Sequence, residues 1–226
     1  MKKTKLLLFV AMAALFASCG TNRLTRGEQY AKFYEEKPVT LLVMPPINNS
    51  TNVDAKELLY TSISRPLAEA GYYVISPHLA MDIFKNESAY DAELFIDQDV
   101  SMFGRVFGAD AVVFTTIEKW KKTGLGIETD LTYMVKSTHT NEILFEKTCE
   151  LFLDLSFNSG NNSLLGSLLD LTVSAINTAL TDHIVAARRC NNYIVSDFPR
   201  GKYNPYYLQD MDVPAEPKHI KRSVKE

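Results

Sequence analysis

Cys19 is the residue whose neighbours best mark it for covalent chemistry. Lys2, Lys3 and Lys5 precede an apolar run from Leu6 to Ala17, and Ser18-Cys19-Gly20 closes it. A basic start, a short apolar stretch and small residues at the break have the form of a secretory signal. The stretch falls short of the roughly 20 apolar residues a membrane-spanning helix needs. A cysteine at the break supplies a thiol that receives a lipid and becomes the first residue of the mature chain.

Phe16-Ala17-Ser18-Cys19 resembles the bacterial lipobox, departing from it at Phe16, where Leu or a smaller aliphatic residue is usual. Gly20-Thr21-Asn22-Arg23 carries no aspartate beside the cysteine, which favours the outer membrane over inner-membrane retention. No acidic run follows it either, so the expected placement is lipid-anchored and facing the periplasm. Such a lipid is a tether, not a span.

The remaining chemistry-bearing residues are sparse. Cys149 lies in an alternating run and Cys190 near the end of a helical one; they could pair in an oxidising compartment or stay as two separate buried thiols. No Cys or His pair has zinc spacing. His78, His139, His183 and His219 are isolated, and His183 beside Asp182 points away from it on a helix. Gly104 and Gly108 are spaced for close helix packing, but Gly108 reads as a helix stop. There is no nucleophile elbow and no phosphate-binding glycine loop. No catalytic residue, metal or cofactor is expected. The polar loop Asn48-Asn49-Ser50, with Asn52, follows the first strand, where ligand sites open in parallel sheets. It serves as a ligand or partner loop, or more simply as a turn that caps the next helix.

Elements that would position these groups follow from periodicity. Residues 1–18 form the signal, and 19–37 the lipidated cysteine with a polar spacer that Tyr30, Phe33 and Tyr34 dock partly onto the fold. Residues 38–192 form the α/β domain, and 193–226 an irregular arm ending in a disordered tail. Val39–Met44 is a continuous apolar run stopped by Pro45-Pro46, a strand buried on both faces. Leu58, Leu59, Ile63, Leu67 and Ala70 keep helical spacing up to Gly71, with Pro66 kinking or splitting the helix. Tyr72–Ile75 and Ala111–Ile117 are further strands, and helices fill the interval between them. Ile127 to Val135 and Ile143 to Leu153 alternate about a turn at His139–Asn141, an antiparallel hairpin. Ser163–Cys190 reads as the longest helix. Leu164, Leu168 and Leu171 widen its apolar girth into a possible interface with a second copy. The fold class is α/β: one domain, a mixed sheet of about five strands with flanking helices, and a long C-terminal helix.

The charge balance, 24 basic against 27 acidic residues for a net −3, gives no basic excess to hold nucleic acid.

Four blocks carry a family resemblance: Leu41–Ser50, Pro66–Val74, Phe107–Val112, and Asn162–Gly166 continuing to Leu180-Thr181-Asp182. They occur in order and the match covers most of residues 38–208. Together they resemble a family of bacterial lipoproteins that includes a genome-derived vaccine candidate. The resemblance implies an outer-membrane lipoprotein with an α/β periplasmic domain, similar in fold to the N-terminal domain of the Tol–Pal translocation protein and to the curli-secretion lipoprotein. It also implies dimers and a role in transport or secretion, and it brings no catalytic residues.

The leading expectation is a non-enzymatic, lipid-anchored interaction module that is an accessory of an envelope transport or secretion complex, with envelope proteins as partners. The alternatives are a pore- or ring-forming secretion subunit and a small-molecule-binding lipoprotein. The hairpin is expected to stay in the soluble sheet, since Lys147 interrupts its one apolar side.

Overall fold

The computed structural model describes residues 23–86, 91–124, 126–155 and 173–225. Cys19, with the rest of the signal, lies outside them, as do Leu164, Leu168 and Leu171. In chain order the elements are α1 (Arg26–Gln29), α2 (Ala31–Glu36), β1 (Thr40–Val43), β2 (Ile47–Asn48), α3 (Asp54–Ser62), α4 (Ser64–Glu69), β3 (Tyr73–Val74), α5 (Pro77–Asn86), α6 (Ser101–Phe107), β4 (Ala111–Lys122), β5 (Gly126–Ser137), β6 (Ile143–Asp154), α7 (Val173–Ser196) and β7 (His219–Lys225).

The sheet is mixed and has seven strands, ordered β3-β1-β4-β5-β6-β7, with β2 pairing β4 beyond the end of β1. β1 is parallel to β3 on one side and to β4 on the other, and β4-β5-β6 form an antiparallel meander. Two strands beyond the expected five account for the difference. One is β2, only two residues long. The other is β7, which the polar, charged composition of residues 218–226 disguised as a disordered tail. β7 pairs in parallel with β6 from Thr148↔His219 to Asp154↔Lys225 and covers an edge that would otherwise expose unpaired backbone. Its side chains stay mostly exposed, so it carries no apolar run to announce it.

Helices cover the sheet from both sides. On one face α2, α3, α4 and α7 pack on Leu41, Val43, Val113, Leu131, Tyr133 and Cys149. On the other, α5 and α6 place Ala80, Phe84 and Phe103 over Leu42, Met44, Val112 and Phe114. β4 serves both faces by alternation, and a bulge between Ile117 and Lys119 resets its register so that Trp120 returns to the first face.

Local chemistry sets the breaks. Thr25 and Glu28 form a reciprocal capping box on α1. Pro66 has no N–H to offer the Ser62 carbonyl and its ring crowds that carbonyl, so the run is split, rather than kinked, at Ile63 into α3 and α4. Gly108 ends α6 in the left-handed region at φ 66°. Gly104 also has a packing role, because a Cβ there would lie 3.0 Å from Thr138 Oγ1. The described part of α7 runs past Cys190 to Ser196, with Ala186, Ala187, Cys190, Ile194 and Val195 buried.

From residue 23 the supposed spacer is part of the domain. Tyr30 and Phe33 are each 2% exposed, and their rings pack on Phe145 and Phe198 at centroid distances of 4.9 and 5.5 Å. The polar surface of residues 23–37 hides only these few inward aromatics.

Candidate functional site

The segment entering the domain from Cys19 is fastened by a charge cluster whose hub is Asp197, just past the end of α7. Lys147 Nζ lies 2.6 Å from Asp197 Oδ2, and neither side chain is exposed. The Tyr30 hydroxyl donates to the same oxygen at 2.5 Å, and the Glu216 N–H to Oδ1 at 3.0 Å. Arg26 on α1 approaches Asp197 Oδ1 at 3.4 Å and Asp210 Oδ2 at 3.2 Å, and donates to the Ser196 carbonyl at 2.8 Å. Two cations face two carboxylates, so the group is neutral as a whole, which is the condition for burying charge. Burial pulls the Lys147 ammonium below the usual lysine range, while Asp197 acts in the opposite sense. Burial, then the charge of Asp210, push the Tyr34 phenol well above its ordinary value.

Backbone bonds complete this clasp. Arg26 N–H donates to the Val213 carbonyl at 2.8 Å, Gly27 N–H to Met211 at 2.9 Å, and Ala215 N–H to Leu24 at 2.9 Å. The irregular arm packs back as expected: Tyr72 donates to the Pro199 carbonyl at 2.6 Å, and Gly201 N–H to Ala70 at 2.9 Å. The sequence signal for the clasp was the apparent defect in β6. Lys147 sits on the inward side of an alternating strand, and a lysine there needs a buried partner.

At the end of β1, the loop Asn48–Asn52 satisfies itself. Asn48 Oδ1 accepts from Ser50 Oγ at 2.7 Å and from Ser50 N–H at 3.1 Å, while Asn48 Nδ2 donates to the Asn52 carbonyl at 2.8 Å. Asn52 Oδ1 accepts from Ala55 N–H at 2.9 Å, capping α3. Asn49 reaches Glu118 at 3.2 Å. These contacts account for the loop as a turn and cap. Beside it, between α3–α4 and α5, a crevice of about 570 Å³ opens over Pro45 and Pro46.

The other candidates are equally well partnered. Trp120 Nε1–H donates to His183 Nδ1 at 2.8 Å, and burial lowers the imidazole's basicity. His139 lies 3.4 Å from Asp110, and His219 2.8 Å from Glu150. Cys149 and Cys190 are free buried thiols that meet across the β6–α7 contact. The neighbouring Cys190 draws the Cys149 thiol down, and burial pushes Cys190 well up. Cys190 Sγ also lies 3.2 Å from Thr129 Oγ1. Among the described residues, no three His, Cys, Asp or Glu side chains gather to hold a metal ion, and no helix is long and apolar enough to cross a membrane.

A two-faced α/β domain with its N-terminal helices α1 and α2 locked into the core is thus the class of molecule the fold defines. The chain belongs to the family described as "Putative lipoprotein GNA1162-like", whose model matches residues 28–200. It is 26% identical over 181 residues to "Putative lipoprotein NMB1124/NMB1162" of Neisseria meningitidis serogroup B, covering 78% of this chain and 83% of that one. Among solved structures, lipoprotein GNA1162 from Neisseria meningitidis aligns with a TM-score of 0.48 at 23% identity, covering 64% of this chain and 99% of that one. A PelC dodecamer from Paraburkholderia phytofirmans aligns with a TM-score of 0.42 at 12% identity, covering 78% of this chain and 93% of that one.

Proposed function

We propose that this protein is a non-enzymatic envelope accessory, anchored in the outer membrane by a lipid on Cys19 and facing the periplasm, which holds its α/β domain close against the membrane to support a transport or secretion complex. The supporting observation is the clasp. Leu24 is already bonded to Ala215, so Cys19 is separated from the fixed body by no more than about 18 Å of extended chain. A lipid on Cys19 therefore confines the domain to partners at the bilayer surface. Membership of a lipoprotein family supports the anchor.

The test combines Cys19→Ser with a twenty-residue Gly-Ser insertion between Asn22 and Arg23. Cys19→Ser should release a folded domain from the membrane fraction. The insertion should leave anchoring intact but lose the envelope partners recovered by mild crosslinking of the native protein. If the native protein is recovered alone, or if Cys19→Ser complements a deletion strain, the reading fails.

A further inference from the structure

The clasp leaves large apolar side chains on the outside. Leu24, Met211 and Val213 are 54%, 39% and 41% exposed, and Tyr203, Tyr206 and Leu208 on the same arm are exposed as well. Single exposed residues of this kind carry no message, but a gathered set does. The backbone gathers these. Thr25 and Pro214 form an antiparallel bridge, the Leu24 carbonyl accepts from Ala215 N–H at 2.9 Å, and a Cβ on Gly27 would lie 3.2 Å from Met211 Cβ. Bonds from Tyr207 N–H to Asn204, Gln209 to Tyr206 and Val213 to Asp210 wind the preceding stretch into successive turns, so Tyr206 and Leu208 stay within one short arm.

This arm sits at a defined end of the domain. Gly201 N–H donates to the Ala70 carbonyl at 2.9 Å and Tyr203 N–H to Gly71 at 3.0 Å, just before β3 begins. That is the amino end of β3 and of its parallel neighbour β1. Val53, also exposed, follows β2 beyond the carboxyl end of β1, at the other end of the sheet. The charges of residues 23–28 and 202–214 cancel, with Arg23, Arg26 and Lys202 against Glu28, Asp210 and Asp212. A surface of this kind calls for an apolar cover rather than a charged one.

The entry point of the chain says what that cover is. On the reading that Cys19 carries a lipid, about 18 Å of extended chain at most lies between the anchor and Leu24, which is itself part of the patch. The boundary zone of a bilayer takes apolar side chains to a depth of about 5–10 Å and favours tyrosines at headgroup level. We propose that Leu24, Tyr206, Leu208, Met211 and Val213 form a membrane seat, which rests on the lipid surface and turns the carboxyl ends of β1 and β2 away from it. The inference deepens the anchored-accessory reading by fixing which end of the domain faces the bilayer and which end faces a partner.

The experiment tethers the full mature chain carrying Cys19→Ser, with a histidine tag ahead of residue 19, to phosphatidylethanolamine–phosphatidylglycerol vesicles containing a nickel-chelating lipid. An environment-sensitive fluorophore is placed on Val213→Cys or, for comparison, on Val53→Cys; Cys149 and Cys190 are buried and stay unlabelled in the folded chain. Nitroxide-bearing lipids should quench the label at position 213 at least about threefold more than the label at position 53, because a seated side chain lies in the boundary zone. Leu24→Ser with Tyr206→Ser, both at exposed side chains, should remove most of that difference while the protein stays tethered and its melting temperature is unchanged. Raising the salt concentration or the phosphatidylglycerol fraction should leave the difference as it was, since the contact is apolar. The artificial tether makes the result independent of a lipid on Cys19, which mass spectrometry of the native chain reads separately, so failure of the anchor and failure of the seat are told apart. Equal quenching at the two positions, quenching that survives Leu24→Ser with Tyr206→Ser, or quenching abolished by salt would overturn the proposal.

Discussion

Lys147 on β6 and Asp197 beyond α7 meet at 2.6 Å with neither side chain exposed, and the Arg26 and Tyr30 side chains converge on the same carboxylate. Removing one member of a buried pair strands the other in a poorly solvating interior. Lys147→Met is expected to lower unfolding stability by about 3–5 kcal/mol, and Asp197→Asn by at least as much, because Lys147 loses its counter-charge and the Tyr30 hydroxyl and Glu216 N–H lose their anionic acceptor. The double variant should cost clearly less than the sum, since no lone charge opposite the pair remains. Urea denaturation of the four proteins measures the cycle, and strict additivity would show that the pair does not act as a unit.

Asp110 joins the start of β4 to the start of β1. Its Oδ2 accepts N–H bonds from Val39 and Thr40, both at 2.9 Å. Partial burial pushes this carboxyl up, but the two backbone bonds and His139 outweigh burial and hold it below the usual aspartate range. A depressed folded value means that its contribution is fully present above the unfolded aspartate value, about 3.9, and is lost as pH falls through the lower folded one. Asp110→Asn should therefore cost about 1 kcal/mol at pH 7, with the gap to wild type closing below about pH 4. Stability curves of both proteins from pH 2.5 to 7 decide the matter; a gap that persists unchanged at the acid end would contradict this account.

Gly71 sits at φ 100°, and a Cβ there would lie 2.5 Å from the Asn204 backbone nitrogen. An alanine meets both an unfavourable backbone region and a backbone wall that cannot give way. Gly71→Ala should cost at least about 2 kcal/mol and loosen the 197–210 arm, seen as faster amide exchange at Gly201 and Tyr203. Unchanged exchange at both amides would show that the close approach is not rigid.

β7 protects β6 over Thr148–Asp154. Deleting residues 219–225 should yield a folded chain with an open sheet edge and concentration-dependent self-association. Light scattering coupled to size exclusion reads this directly, and a monodisperse monomer at all concentrations would assign edge protection elsewhere.

The sequence displayed the elements with a strong apolar period. The hairpin, β1, α5, the end of α6 at Gly108 and the break near Pro66 were all legible. What it concealed was structure held by few or polar contacts. β2 is too short to have a period. β7 is fixed by backbone ladder bonds with Ile220 as its one fully buried anchor. Tyr30, Phe33 and Tyr34 announced the docking of the entry segment, but its charged surface hid the two short helices that carry them. The asparagine loop was visible as a motif, and its role as a cap follows from bonds among Asn48, Ser50 and Asn52 that spacing alone leaves open. The crevice was not visible, because its walls on α3–α4 and α5 come together only once β1 divides the helices between two faces.

The bonds between Leu24–Gly27 and Met211–Ala215 splice the first described residues to some of the last. Such contacts close a loop of nearly the whole chain, the slowest kind of contact to form. An emerging chain cannot complete its core until the stretch around Asp197 and Met211 has been delivered, because Tyr30 and Lys147 have no counterpart before then. The core is therefore expected to close only once the whole chain is available.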